Sequence, residues 1–175
     1  GDRWGGPSSE DEELMSGYLE AGGGLFLTSQ DYLWGQPLSD FSQTYLGLAE
    51  KQDDVGHSWI SGVEGHPIGS QFGILMLDYP GDSWSDRVVP DASASAAFSG
   101  GAGDYAAITK ADGYRTVFFG FAWEALQHAN PDAGQAVLEA VLIWLTQRNG
   151  VPWISLDASA GTVAVGSTET VIVTF

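Results

Sequence analysis

Cysteine is absent from this chain of 175 residues. That removes disulfides, thiolate nucleophiles and thiolate metal sites together, though it does not fix a compartment. Positive charge is scarce as well: six Lys and Arg face twenty-three Asp and Glu, a formal net charge of -17. A surface of that sign repels phosphate backbones and anionic lipid, which argues against nucleic acid and membrane surfaces as partners. No apolar run approaches the roughly 18 residues of a membrane-spanning helix. No signal-peptide pattern is present, and Gly1 is not an initiator Met.

What is there suffices for one ordinary domain, with 43% hydrophobic residues to build a core. The organising stretch is 22–35, where a helix ends at Gly22-Gly23-Gly24, a short apolar run follows, and Ser29-Gln30-Asp31 makes a sharp polar turn. Ahead of it, Ser9-Glu10-Asp11-Glu12 reads as a capping box, with Ser9 capping and Glu12 reaching back. Leu14, Met15, Tyr18 and Leu19 then give one apolar helical face. Residues 25–28 read as a central strand buried on both faces. Phe41, Tyr45 and Leu48 suggest a short helix, and residues 72–77 a further strand. The stretches 51–70 and 79–96 read as loop.

Asp112-Gly113 marks a hairpin turn between strands at 106–108 and 116–121. Asn130-Pro131 sets a cap and an N1 proline before a helix carrying Val137, Leu138, Val141, Leu142 and Leu145. After Asn149-Gly150-Val151-Pro152 the pattern turns strand-like. About 25 residues cannot complete a sandwich of roughly seven strands, so the reading divides the chain into an α/β domain at 1–149 and the first strands of an all-β segment at 150–175.

Three stretches carry a family resemblance. Glu20-Ala21-Gly22-Gly23-Gly24-Leu25-Phe26-Leu27-Thr28-Ser29-Gln30-Asp31, Gly113-Tyr114-Arg115-Thr116-Val117-Phe118-Phe119-Gly120-Phe121-Ala122-Trp123-Glu124 and the helix ending in Ile143-Trp144-Leu145 together resemble a divergent class I glutamine amidotransferase-like, flavodoxin-like domain. The resemblance is to the version found in large secreted bacterial surface proteins, with an Ig-like repeat following at 153–175. It implies a three-layer, open, mostly parallel sheet with helices on both faces, lacking its first βα unit. It also implies that the chain is a piece of a longer polypeptide, or that a second chain completes the sheet.

Residue by residue, Ser29 falls at the family's nucleophilic cysteine, Ala122 and Trp123 at its histidine and proline, and Glu124 at its glutamate. A serine without a base is an ordinary alcohol, so glutaminase activity is not expected. Ser29 and Glu124 remain the catalytic candidates, against plainer roles as a polar strand end and a helix-start charge.

Gln30, Asp31 and Trp34 are candidate binding residues at the same turn. His57 and His66, separated by eight residues and beside Asp53, Asp54 and Glu64, match no zinc spacing and read as surface-loop histidines; with His128 they are the only imidazoles a hydrolase could borrow. Asp78, Asp82, Asp86 and Asp91 lack the EF-hand pattern and read as solvated turns, with irregular calcium ligation by Asp78, Asp82 and Asp86 as the alternative. Gly101-Ala102-Gly103-Asp104-Tyr105-Ala106 matches a dinucleotide fingerprint in letters alone, since a loop precedes it and a hairpin follows.

Of seven tryptophans, Trp34, Trp59 and Trp84 fall in expected loops and could form a sugar-stacking surface. Trp123 and Trp144 read as core, and Trp153 as a seal at the domain junction. The leading expectation is a non-catalytic structural or interaction module, extracellular or on a cell surface and associated with a peptidase or surface protein. The alternatives are a serine hydrolase using Ser29 with a distant histidine, and a glycan-binding module using the loop tryptophans. No cofactor is expected, calcium aside.

Overall fold

A computed structural model describes residues 6–101 and 105–147, together with the backbone of two short strands at 155–156 and 173–174. The first helix, α1 (Ser9–Glu20), is capped by Ser8 rather than Ser9. The Ser8 hydroxyl accepts from the Asp11 amide (3.2 Å), and the Ser8 amide donates to Asp11 Oδ2 (2.8 Å). The box slips by one residue because Glu12 is engaged elsewhere: its Oε1 accepts from the Tyr32 hydroxyl (2.6 Å) and the Ser39 hydroxyl (3.1 Å). Burial and that carboxylate push the Tyr32 phenol well above its usual range.

Helix α1 ends as the glycines require. Gly22 takes a left-handed φ of 82°, with Gly22 N donating to Leu19 O (2.8 Å) and Gly23 N to Tyr18 O (3.1 Å), the paired bonds of a Schellman stop. The expected single apolar face divides: Leu19 is buried and Met15 packs inward, while Leu14 and Tyr18 face solvent. The Tyr18 hydroxyl instead lies at the start of the next strand, donating to Gly24 O (3.2 Å).

Six strands form one sheet: β1 (Gly24–Thr28), β3 (Trp59–Gly62), β4 (Ile74–Met76), β6 (Ala94–Ser99), β7 (Tyr105–Ala111) and β8 (Arg115–Phe119). Their order is β1-β8-β7-β6-β3-β4, and β1 with β8 is the parallel pair; every other pairing among the described residues is antiparallel. A separate antiparallel ribbon joins β2 (Leu48–Gln52) to β5 (Arg87–Pro90). The helices are α1, α2 (Asp40–Thr44), α3 (Trp123–Ala129) and α4 (Pro131–Thr146), with a 3-10 turn at Gly69–Gln71. Strands β9 (Ser155–Leu156) and β10 (Val173–Thr174) pair antiparallel; the Ig-like expectation for 150–175, and Trp153 with it, otherwise lie outside the described residues.

This overturns the open, mostly parallel, flavodoxin-like sheet. The physical reason is in the connections. Strands β6, β7 and β8 follow one another through short links, which join antiparallel neighbours, whereas parallel neighbours need a long crossover. The hairpin at Asp112-Gly113 is as expected, with Ala111 opposite Arg115 and Gly113 at φ 73°. Strand β1 is an edge strand of half-buried residues, not a central one. Strands β7 and β8 are buried on both faces: Ala107, Val117 and Phe119 join the core under α3 and α4, while Ile108 and Phe118 join the core under α1 and the β2–β5 ribbon. Two further corrections follow. Residues 51–70 contain β3, and 79–96 contain β5 and the start of β6. The short helix expected around Phe41 ends at Thr44, so Leu48 begins a strand.

Helix α4 starts as read, with Asn130 Oδ1 accepting from the Asp132 and Ala133 amides (3.1 and 3.2 Å) ahead of Pro131. Trp144 is buried on it and receives the Arg115 guanidinium 4.6 Å above its ring.

Candidate binding pocket

Three loops meet beyond the carboxyl end of β1. The first, 29–35, is fixed at its root by Thr28, whose hydroxyl donates to Phe121 O (2.7 Å) and accepts from the Trp123 amide (2.9 Å). Ser29 Oγ accepts from the amides of Asp31 (3.2 Å) and Tyr32 (3.0 Å). Ser29 is therefore the cap of the turn that follows it.

The second loop, after β2, is bound to the first by Lys51. Its ammonium donates to Leu33 O and pairs with Asp53 Oδ1 at 2.7 Å. Asp53 Oδ2 in turn accepts from the Gly35 amide (3.2 Å). One residue on, Asp54 adopts a left-handed φ of 57°, alone among the described non-glycine residues. Aspartate tolerates that conformation better than most side chains. The third loop supplies Ser85 and Asp86: Val55 N donates to Ser85 O (2.8 Å), His57 N to Ser85 Oγ (2.6 Å), and Asp54 N to Asp86 Oδ1 (3.1 Å). Gln30 Oε1 reaches across to accept from the Trp84 amide at 3.4 Å.

The three loops enclose an open pocket of about 470 Å³ lined by Asp31, Trp34, Asp54 and Trp84. Trp34 is 57% and Trp84 45% exposed. Asp31 is half-buried, and its carboxyl is raised above the usual range first by desolvation and second by the charge of Asp54. Behind the wall, Asp86 is wholly buried and its Oδ2 has no hydrogen-bond partner. Burial pushes that carboxyl up to about 8, with the charges of Asp53 and Asp54 adding to the rise; the Asp54 amide and Lys51 act against it. Burial thus favours the protonated form of Asp86.

The other candidates fall elsewhere. Glu124 is exposed in the first turn of α3, its helix-start role. His57 and His66 are buried, correcting their surface-loop assignment. His66 Nδ1 accepts from the Ile68 and Gly69 amides (3.1 and 3.2 Å), which leaves Nε2 as the protonated nitrogen facing Thr109 Oγ1 (2.8 Å); burial lowers its basicity. His57 packs its ring against Gly100, where a Cβ would collide with it. His128 is exposed near the end of α3.

Asp78 and Asp82 are exposed, Asp91 caps Ser93 (2.7 Å), and Asp86 is buried rather than solvated. Among the described residues no three carboxylates or histidines converge where a metal could sit. Trp59 is half-buried on β3 and does not line the pocket, while Trp123 donates its indole N–H to Gly134 O (3.0 Å). Sequence reasoning did not connect Asp54 to Asp31 or Trp34. The one available signal was the polar, turn-prone run Gln52-Asp53-Asp54-Val55-Gly56.

The fold and site together define a mixed-sheet domain with helices against both faces of its parallel end and a loop-built pocket beyond the first strand. Solved structures share that fold. The chain is similar to the mmIFT52 N-terminal domain, with TM-score 0.56 and 14% identity over 83% of this chain and 76% of that one. It is also similar to the cytoplasmic protein STM3548 from Salmonella typhimurium, with TM-score 0.51 and 14% identity over 79% of this chain and 61% of that one. No family model matches the chain, and no curated protein matches it. These neighbours and the mixed sheet overturn the amidotransferase-like resemblance.

Proposed function

We propose that this domain is a non-catalytic recognition module whose working surface is the pocket between Trp34 and Trp84. The carrying observation is that two exposed indoles and two carboxylates, from three separate loops, line one cavity. Its size falls within the range of small-ligand sites, about 300–1,000 Å³. The loops are held to one another by Lys51, Asp53, Gln30 and Asp86, so little ordering entropy remains for a ligand to overcome. The reading gives Ser29 no chemistry, because its oxygen serves as the acceptor for two turn amides.

The test is a saturation-transfer NMR screen of small neutral and charged solutes against the wild type and a Trp34→Ala/Trp84→Ala variant. Solutes that contact the wild type should lose contact with the variant. Identical contacts in both proteins would remove the pocket from the proposal.

Strand β1 supports an additional assembly role. Among the described residues nothing pairs with its outer edge, and Leu14 and Tyr18 stand exposed on the helix that covers one of its faces. An open strand edge is a template for pairing, and a second chain or another part of the same polypeptide would complete the sheet there. Hydrogen exchange tests it: the β1 amides should gain protection as protein concentration rises or when a longer chain is used.

A further inference from the structure

We infer that the pocket takes a small quaternary ammonium ion, with its charge set against Asp31 and Asp54 and its methyl groups against the indoles of Trp34 and Trp84. The inference rests on the recognition reading and adds the charge and shape of the ligand. Four observations carry it.

The lining contains no cation: its residues are two aspartates and two tryptophans. Lys51, the nearby base, is already committed to Asp53 and to Leu33 O. The two lining carboxylates also repel one another, since the charge of Asp54 acts against ionisation of Asp31. A bound cation relieves that repulsion, whereas a neutral sugar leaves it in place. Finally, indole faces attract cations through their ring quadrupole, most strongly when the ion sheds its water. An alkylated ammonium sheds water easily and offers methyl surface to the rings.

Other ligands fit less well. An anion is repelled by both carboxylates and by the chain's net charge of -17. Calcium seeks about six to eight oxygen ligands, and the pocket wall offers two carboxylates. The position of Asp54 is itself built for the task. Its left-handed backbone is held by the hydrogen bond its amide donates to Asp86 Oδ1, which sets the carboxylate at the rim without consuming it.

Isothermal titration calorimetry with choline chloride, and in parallel with methyl α-glucoside, tests the inference. Choline should bind saturably, weaken as sodium chloride is raised, and weaken by about tenfold or more in Trp34→Ala, in Trp84→Ala and in Asp31→Asn/Asp54→Asn. All these side chains reach solvent, so circular dichroism and the melting temperature should stay near wild type. Saturable glucoside binding, indifferent to salt and to the asparagine pair, would overturn the cation and leave the recognition module standing. Binding of neither probe would overturn the inference, with the solute screen deciding the broader reading separately. Choline binding untouched by the tryptophan variants would place the cation elsewhere and overturn it too.

Discussion

The backbone amide of Asp54 donates to Oδ1 of the buried Asp86 at 3.1 Å, joining the rim of the pocket to a carboxyl that solvent cannot reach. The other oxygen of Asp86 meets no partner. The rim is thereby held in its left-handed conformation by a group that favours being neutral.

That relationship gives stability a pH dependence. The folded carboxyl titrates at about 8 against 3.8 for the ordinary group, so between those values the native state holds the proton more tightly than the unfolded chain. The contribution of Asp86 to stability should be full below the lower value, fall as pH rises between them, and level off above about 8. Asp86→Asn keeps an acceptor for the Asp54 amide and cannot ionise. The melting temperature of this variant should lose that part of its fall between pH 5 and pH 9. An unchanged slope would exonerate Asp86.

Lys51 is the clamp between the first two loops. Lys51→Met removes the donor to Leu33 O and leaves Asp53 without its ion pair, at a cost of about 1–3 kcal/mol if the freed groups stay buried. The variant should unfold at lower denaturant concentration and bind pocket ligands more weakly, because the Trp34 loop is no longer fixed. Urea unfolding with ligand titration checks both.

Ser29→Ala separates capping from chemistry. Losing the acceptor for the Asp31 and Tyr32 amides should cost about 1 kcal/mol, as for a lost helix cap. Ligand affinity should drop only modestly. Abolition of a hydrolytic turnover with stability intact would instead make Ser29 a nucleophile.

Gly62→Ala tests the architecture. An added Cβ would overlap Gly69 O and crowd Phe72 O, both backbone atoms that cannot swing aside. The loss should exceed about 3 kcal/mol and unfold the domain at temperatures where Gly113→Ala, which meets open space at a left-handed φ, costs only about 1 kcal/mol. Thermal melts of the two variants make the comparison.

Much of the local structure was legible in the sequence. Gly22 stops α1, Asn130 and Pro131 start α4, and Asp112-Gly113 turns the hairpin, because each signal acts within a few residues. The turn at 29–35 also stood out, and it does line the pocket with Asp31 and Trp34. Beyond that hairpin, strand direction was not legible. An apolar run such as Val117-Phe118-Phe119 satisfies a strand covered on both faces whether its neighbours run parallel or antiparallel, and its resemblance to another family's strand followed from that burial alone. The pocket's far wall was hidden for a different reason. Asp54 and Trp84 come from loops distant in sequence, and Asp86 gave no sign of burial among several exposed aspartates.

The most direct measurement is fluorine NMR of protein labelled with 5-fluorotryptophan, its resonances assigned by single Trp→Phe variants and followed as choline is added. The account predicts that the Trp34 and Trp84 signals move together along one saturable curve while those of Trp123 and Trp144 stay still. Movement of Trp123 or Trp144 with Trp34 and Trp84 at rest would contradict it.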